Sequence, residues 1–350
     1  VPTVRRLLVV GAAAAFLGLV VLETAGALGR GDRGPDPARA GDAQWNLNLI
    51  GVREAWAVTR GDDVVVAVID SGVDTRHPDL RDRVVGSIDC VGADGDPDRC
   101  RAGGDTDPDG HGTHVAGIAT ATAENGTGVA GVAPEADLLS VRALVTEPCR
   151  RRPCGATGQG ADVAAGVRWA VGAGAQVVNL SVGVGADIGG SELTDAIDEA
   201  WTAGVVVVVA AGNGDDRTDL GDMPVLVVSA VTATETVAPY SEGVGGARWA
   251  LSAPGGEARA AGGDGCRERD GIFSTLPVPA GESEAYGYLS GTSMAAPHVA
   301  GAAALLVATG LSAAETVERL LTTARDLGTD GPDDLYGEGL LDVARGLRDR

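Results

Sequence analysis

Four short runs built almost wholly from β-branched or small apolar residues constrain this chain most: VVVAVI (64–69), VVNLSV (177–182), VVVVVAA (205–211) and VLVVSAV (225–231). None alternates polar with apolar positions. A strand with one face in water alternates, whereas a strand apolar on both sides has to be covered on both. Helical patterns at 111–123, 160–173, 191–203 and 292–309 lie between and after the runs and supply that cover. The order predicts an α/β fold: a doubly wound, mostly parallel sheet with helices on both faces. Aromatic residues are only 3% of the chain and glycines number 54, so such a core depends on close backbone approach.

In sheets of this kind, chemistry gathers beyond the C-terminal ends of the strands. Asp70 follows the first run, Gly183 the second and Asn213 the third. They are expected to meet along one edge.

A serine hydroxyl becomes a nucleophile when a base touches it, and that base needs an orienting carboxylate. Residues 290–301 read SGTSMAAPHVAG ahead of an apolar stretch. Pro297 fits only near the start of a helix, which sets that start close to Thr292 or Ser293. Ser293 then stands at a helix N-terminus, where the dipole and free N–H groups favour negative charge. Taken alone, Ser293 reads equally well as a cap. His111 offers the base, and Gly110 and Gly112 beside it let the backbone approach another group closely. Asp70 offers the carboxylate.

Three stretches, VIDSGVD (68–74), DGHGTHVAG (109–117) and GTSMAAPHVAG (291–301), together resemble the catalytic signatures of the subtilisin-like serine proteases, in the family's order Asp, His, Ser. AAGN (210–213) resembles the family's oxyanion segment, and the likeness spans roughly residues 45–345. It implies a subtilisin-like fold and a serine endopeptidase working through an acyl-enzyme. Ser293 attacks, His111 moves the proton, Asp70 orients the imidazole and Asn213 donates to the oxyanion. It also implies an extended polypeptide substrate held between two backbone edges, around Gly158 and around Ser181 and Gly183. Ala210, Ala211 and Gly212 then line the pocket for the residue before the cleaved bond. No catalytic cofactor is implied. A structural calcium is: HPDL (77–80) and ENGTGVAGVAP (124–134) resemble parts of a family site. Asp79 and Asn125 would give side-chain oxygens, and Thr127 and Val129 carbonyls. Gln44 aligns poorly with the family's N-terminal glutamine ligand.

Zinc is not expected at His111 and His114, because three or four ligands are needed and only His77 and His298 remain. His114 is expected to pack within its helix. His298 lies five residues past Ser293, about 140° around the helix, and cannot share its face. DTDPDG (105–110) begins like an EF-hand loop, but Ala116 stands where the closing Glu belongs. Asp109 is expected to cap the His111 helix.

Arg5 and Arg6 precede an uncharged run, Leu7–Leu22, which reads as a signal peptide or N-terminal membrane anchor over 1–28. Residues 29–44 read as a flexible linker, and 45–346 as one catalytic domain. Five cysteines fit an exported protein, extracellular or at the cell surface. Cys90 and Cys100 flank one loop and Cys149 and Cys154 another, which leaves Cys266 odd; spacing alone does not fix the pairing. A net charge of −22 excludes nucleic acid as a natural partner and leaves contact with a membrane to the N-terminal segment, if uncleaved. The chain is expected to be a monomer. Two stretches depart from the family. GDDRTDLGDMP (214–224) is short and acidic, either a pocket wall that favours a basic residue or a solvated loop. TEPCRRRPC (146–154) is an insert. The alternatives are a non-catalytic binding protein on the same fold, a membrane-anchored processing protease of narrow specificity, and a calcium-stabilised structural protein.

Overall fold

Valine-rich strands with no polar face pair side by side and leave their coverage to helices. The computed structural model describes residues 43–146, 156–182, 191–214, 220–257 and 270–348. In chain order the helices and strands are α1 (Trp45–Leu49), α2 (Val52–Ala55), β1 (Val65–Asp70), β2 (Val84–Asp89), α3 (His111–Thr120), β3 (Asp137–Arg142), β4 (Val145–Thr146), β5 (Ala156–Thr157), α4 (Gly160–Gly172), β6 (Val177–Leu180), α5 (Ser191–Thr202), β7 (Val206–Ala210), β8 (Leu226–Val231), β9 (Trp249–Pro254), β10 (Ile272–Thr275), β11 (Tyr286–Leu289), α6 (Thr292–Val307), α7 (Ala313–Thr322) and α8 (Val343–Arg348).

Seven strands form the central sheet in the order β2-β3-β1-β6-β7-β8-β9, and every neighbouring pair is parallel. From β1 the chain goes to the edge at β2 and returns to insert β3 beside β1, while from β6 it builds outward to the other side. The reversal falls between β1 and β6, where an open sheet forms its crevice. Val68 pairs with Asn179 and Ile69 with Leu180, so Asp70 and Ser181 stand next to each other just beyond. The four apolar runs became β1, β6, β7 and β8. The strands they did not announce are the two edge strands, β2 and β9, and β3. β2 is only half buried along its length, and β9 includes Trp249, Ser252 and Pro254.

Helix α6 packs with α7 and α8 on one face of the sheet, around Val299, Leu305, Leu306, Val317 and Leu347. On the other face α4 and α5 bury Val163, Val167, Leu193 and Ile197. α3 and the β10–β11 hairpin enclose a third cluster, including Val115, Ile118, Ile272 and Leu289. Small residues let α6 cross closely: a Cβ on Gly301 would lie 2.6 Å from Val132 Cβ. Ser312 and Glu315 close a reciprocal capping box at the start of α7.

Two expected boundaries shift. Gln44, read as the end of the linker, is buried; its Nε2 donates to Ala130 O at 2.8 Å and its Oε1 accepts from Ala130 N at 3.1 Å. The packed domain therefore includes it. α8 carries the domain to Arg348, past the expected end at 346. The segment 1–42 lies outside the described residues. Among the described residues, no helix is long and apolar enough to cross a membrane. Cys90 and Cys100 form a disulfide around the 3-10 turn Pro97–Arg99, while Cys149, Cys154 and Cys266 fall outside the described residues. Replacing both bridged cysteines with serine is expected to cost about 2–3 kcal/mol, the loop entropy released to the unfolded chain. Urea unfolding of the two forms measures this, and equal midpoints would contradict it.

Candidate active site

Asp70 is the last residue of β1 and is fully buried. His111 is the first residue of α3, with Nδ1 at 2.8 Å from Asp70 Oδ1 and 3.0 Å from Oδ2. Glycine makes this approach possible: a Cβ on Gly112 would collide with the Gly72 carbonyl and lie 3.0 Å from Asp70 Cβ. Gly110 enters the helix at φ +98°, a conformation costly for other residues. Burial works against a charged imidazole here, but the Asp70 carboxylate and its hydrogen bond outweigh it, helped by Asp109 and Asp107. The His111 pKa is raised from 6.5 to about 9. With Nδ1–H given to Asp70, Nε2 is the face left for a proton in transit.

The expected cap, Asp109, does not hold the helix start. That role falls to Asp107. Its Oδ1 accepts from Gly110 N at 2.9 Å and from Ser71 Oγ at 2.8 Å, and its Oδ2 accepts from Thr113 N at 2.8 Å and Thr113 Oγ1 at 2.7 Å. Ser71 Oγ in turn accepts from Gly112 N. The residue after Asp70 is thereby tied to both ends of the first helical turn. Burial raises the Asp109 carboxyl above its usual range, and its Oδ2 is buried without a partner.

Ser293 opens α6 as its second residue. Its hydroxyl donates to Ser181 O at 3.0 Å and makes no hydrogen bond to His111. Asn213 follows β7. Its Oδ1 accepts from Thr292 N at 2.9 Å and from Thr292 Oγ1 at 3.1 Å, which turns its amide hydrogens the other way. Gly291 borders that amide, a Cβ there lying 3.4 Å from Asn213 Nδ2. Gly212 N donates to Thr292 Oγ1 at 3.1 Å, so the segment after β7 is pinned to the first turn of α6. The half-buried Asn213 amide and the half-buried Ser293 at the start of α6, brought to one sheet edge, suit an oxyanion.

Ala210, Ala211 and Gly212 are buried in sequence just before Asn213, and Gly212 has φ +111°. Glu242 was not foreseen: a Cβ on Gly212 would lie 2.6 Å from its carboxyl carbon. Residues 215–219 of the acidic stretch expected to shape this wall, with three of its four aspartates, lie outside the described residues, as do Gly183 and the arginines of the 146–154 insert. Gly158 follows β5, which pairs antiparallel with β4, and a Cβ there would lie 2.7 Å from Ala143 O.

The four expected calcium residues do meet. Asp79 is fully buried; its Oδ1 accepts from Asn125 Nδ2 at 2.8 Å and Thr127 Oγ1 at 3.1 Å, and its Oδ2 from Val129 N at 2.9 Å. Asn125 Oδ1 instead accepts from Thr127 N at 3.0 Å. Donors rather than oxygen ligands thus face the one carboxylate. This set does not fit calcium unless the Asn125 amide turns over. Among the described residues, no three His, Cys, Asp or Glu side chains form a metal cluster.

The remaining histidines are tied to backbone or to a buried amide. His114 Nε2 lies 3.1 Å from Ile272 O and 3.2 Å from Gly287 O, and burial lowers its pKa to about 3. His77 bonds Ala285 O and Asp79 N. His298 Nδ1 bonds Met294 O at 2.8 Å, which leaves Nε2 to accept from Asn46 Nδ2 at 2.7 Å; burial lowers its pKa to about 4.

Comparison with known proteins gives the family. The profile of the subtilase family matches residues 61–339. Thermitase of Thermoactinomyces vulgaris is 35% identical over 82% of this chain and 90% of its own length. A thermophilic serine proteinase of Bacillus sp. strain AK1 is 37% identical over 81% of the chain, which spans 62% of that relative. The major intracellular serine protease of Bacillus subtilis is 35% identical over 84% of the chain and 86% of its own length. A solved protease structure from Pseudoalteromonas arctica superposes with a TM-score of 0.69 at 30% identity, covering 91% of this chain and 99% of that one. The chain belongs to the subtilase family. It is a serine endopeptidase with the family's α/β fold, its substrates are peptides, and it needs no catalytic cofactor.

An imidazole titration by NMR is expected to place His111 near 9, and to move it down in Asp70→Asn. Because the folded value is raised, the pair stabilises the fold fully below about 6.5, and that contribution fades as pH rises through about 9. A midpoint indifferent to Asp70→Asn would contradict the assignment.

Proposed function

We propose that Ser293, His111 and Asp70 form the catalytic triad of an exported endopeptidase, with Asn213 as an oxyanion donor. The observation that carries this is the buried Asp70–His111 hydrogen bond at the edge where Asn213 and the start of α6 also meet. An extended substrate lies between the backbone around Gly158 and that around Ser181 and Gly183. The residue before the scissile bond enters beside Ala210, Ala211 and Gly212.

Substrate binding turns the Ser293 hydroxyl from Ser181 O toward His111, since catalytic hydrogen bonds tighten in the bound complex. As Ser293 Oγ attacks the carbonyl carbon, its proton passes to His111 Nε2. The oxyanion receives hydrogen bonds from Asn213 Nδ2 and the Ser293 N–H. His111 gives the proton to the departing amine, the C–N bond breaks and an ester on Ser293 remains. Water then loses a proton to His111 and attacks that ester. Its collapse releases the carboxylic acid and returns the proton to Ser293. Asp70 stays ionised and steadies the imidazolium.

The apolar N-terminal run and the Cys90–Cys100 disulfide support export. A non-catalytic binding role on this fold leaves the Asp70–His111 pair and the pinned Asn213 amide unused.

A fluorophosphonate is expected to label the wild type at Ser293 and to leave Ser293→Ala unlabelled. Asn213→Ala is expected to lower kcat by about 10²–10³-fold, the worth of one oxyanion donor. A folded wild type that resists labelling would sink the triad.

Calcium at Asp79, Asn125, Thr127 and Val129 requires the inverted Asn125 amide. With the donors as arranged, chelation is expected to shift the Tm by less than the roughly 2 °C that about 1 kcal/mol produces. A larger fall would show that the amide turns and the ion binds.

A further inference from the structure

Pro297 sits inside α6, four residues after Ser293. In a helix the N–H of residue i bonds the carbonyl of residue i−4, and proline has no N–H. The carbonyl of Ser293 therefore lacks its usual helical donor. Ser181 supplies one: its Oγ–H donates to Ser293 O at 2.8 Å. Ser181 Oγ in turn accepts from Asn179 Nδ2 at 2.9 Å. Asn179 is wholly buried in β6, paired with Val68 on one side and Val208 on the other, so the relay starts from the central strand of the sheet. Its own Oδ1 is buried without a partner, an expense the core accepts where this amide points its N–H at Ser181. Ser181 thus grips Ser293 twice, by its side chain on the carbonyl and by its carbonyl on the hydroxyl.

We propose that Asn179 and Ser181 are positioning residues that replace the backbone hydrogen bond removed by Pro297 and so set the place of Ser293 against His111. This rests on Ser293 being the nucleophile. The vacancy at the Ser293 carbonyl lets the sheet, rather than the helix alone, fix the reacting residue.

A double-mutant cycle tests it. Ser181→Ala keeps the backbone that borders the substrate and loses the donor. It is expected to lower kcat on a peptide substrate about 10-fold with KM within about 2-fold, as for a group acting on the reacting geometry rather than on binding. Pro297→Ala restores an N–H to the helix. In that background Ser181→Ala is expected to cost less than about 3-fold, because the two changes address one hydrogen bond. Ser181→Thr keeps the hydroxyl and is expected to retain most of kcat, while Asn179→Ala falls between. Equal losses from Ser181→Ala in both backgrounds, or a change in KM alone, would overturn the relay. Should Pro297→Ala fail to fold, equal losses from Ser181→Thr and Ser181→Ala would overturn it. Fluorophosphonate labelling of Ser293→Ala separates the causes. Labelling that persists refutes the nucleophile; labelling that is abolished beside an additive cycle refutes the relay alone.

Discussion

A parallel sheet covered on both faces makes an unpartnered polar group inside it costly, and this constraint arranges much else. Helices occupy both surfaces of the strands, so charge and hydrogen-bonding capacity collect where the strands end. At the reversal between β1 and β6 the covering helices part, and Asp70 and Ser181 stand together there. The site is the place where this sheet is permitted to be polar.

Holding a carboxylate in such a place requires compensation on every side. Asp70 has His111 and the N–H of Ser71; Asp107 is satisfied by backbone and hydroxyl donors around the first turn of α3. The negative charge that raises His111 is thus shared among Asp70, Asp109 and Asp107. Buried hydrogen bonds keep this charge fixed, which is what the imidazolium of the proposed mechanism needs. His114 and His298, buried in apolar surroundings, are driven toward neutrality instead.

What could be read from sequence follows physical lines. Strands buried on both faces announce themselves by composition, as β1, β6, β7 and β8 do. Half-exposed β2 and polar-bearing β9 do not, since neither has a face pattern a short window can register. The glycines beside His111 and the proline after Ser293 marked helix starts correctly, because they act through local geometry. Asp107 outdid Asp109 as the cap through a serine 36 residues away, which no local pattern contains. Gln44 lay beyond the apparent domain start because its partner is Ala130. The bond from Ser181 to the Ser293 carbonyl did leave a trace: a proline four residues after Ser293 means a carbonyl in search of a donor.

The contact between Asn46 and His298 joins positions 252 residues apart, one near the start of the domain and one on the helix that carries Ser293. The sheet makes the same demand, since β1 lies beside a strand made more than a hundred residues later. A nascent chain on the ribosome therefore holds Asp70 and His111 long before Ser293 is made. High contact order makes such a fold slow to close and leaves its valine strands waiting uncovered. On the proposed triad, a half-made chain cannot cut: the blade is assembled by the same event that completes the handle.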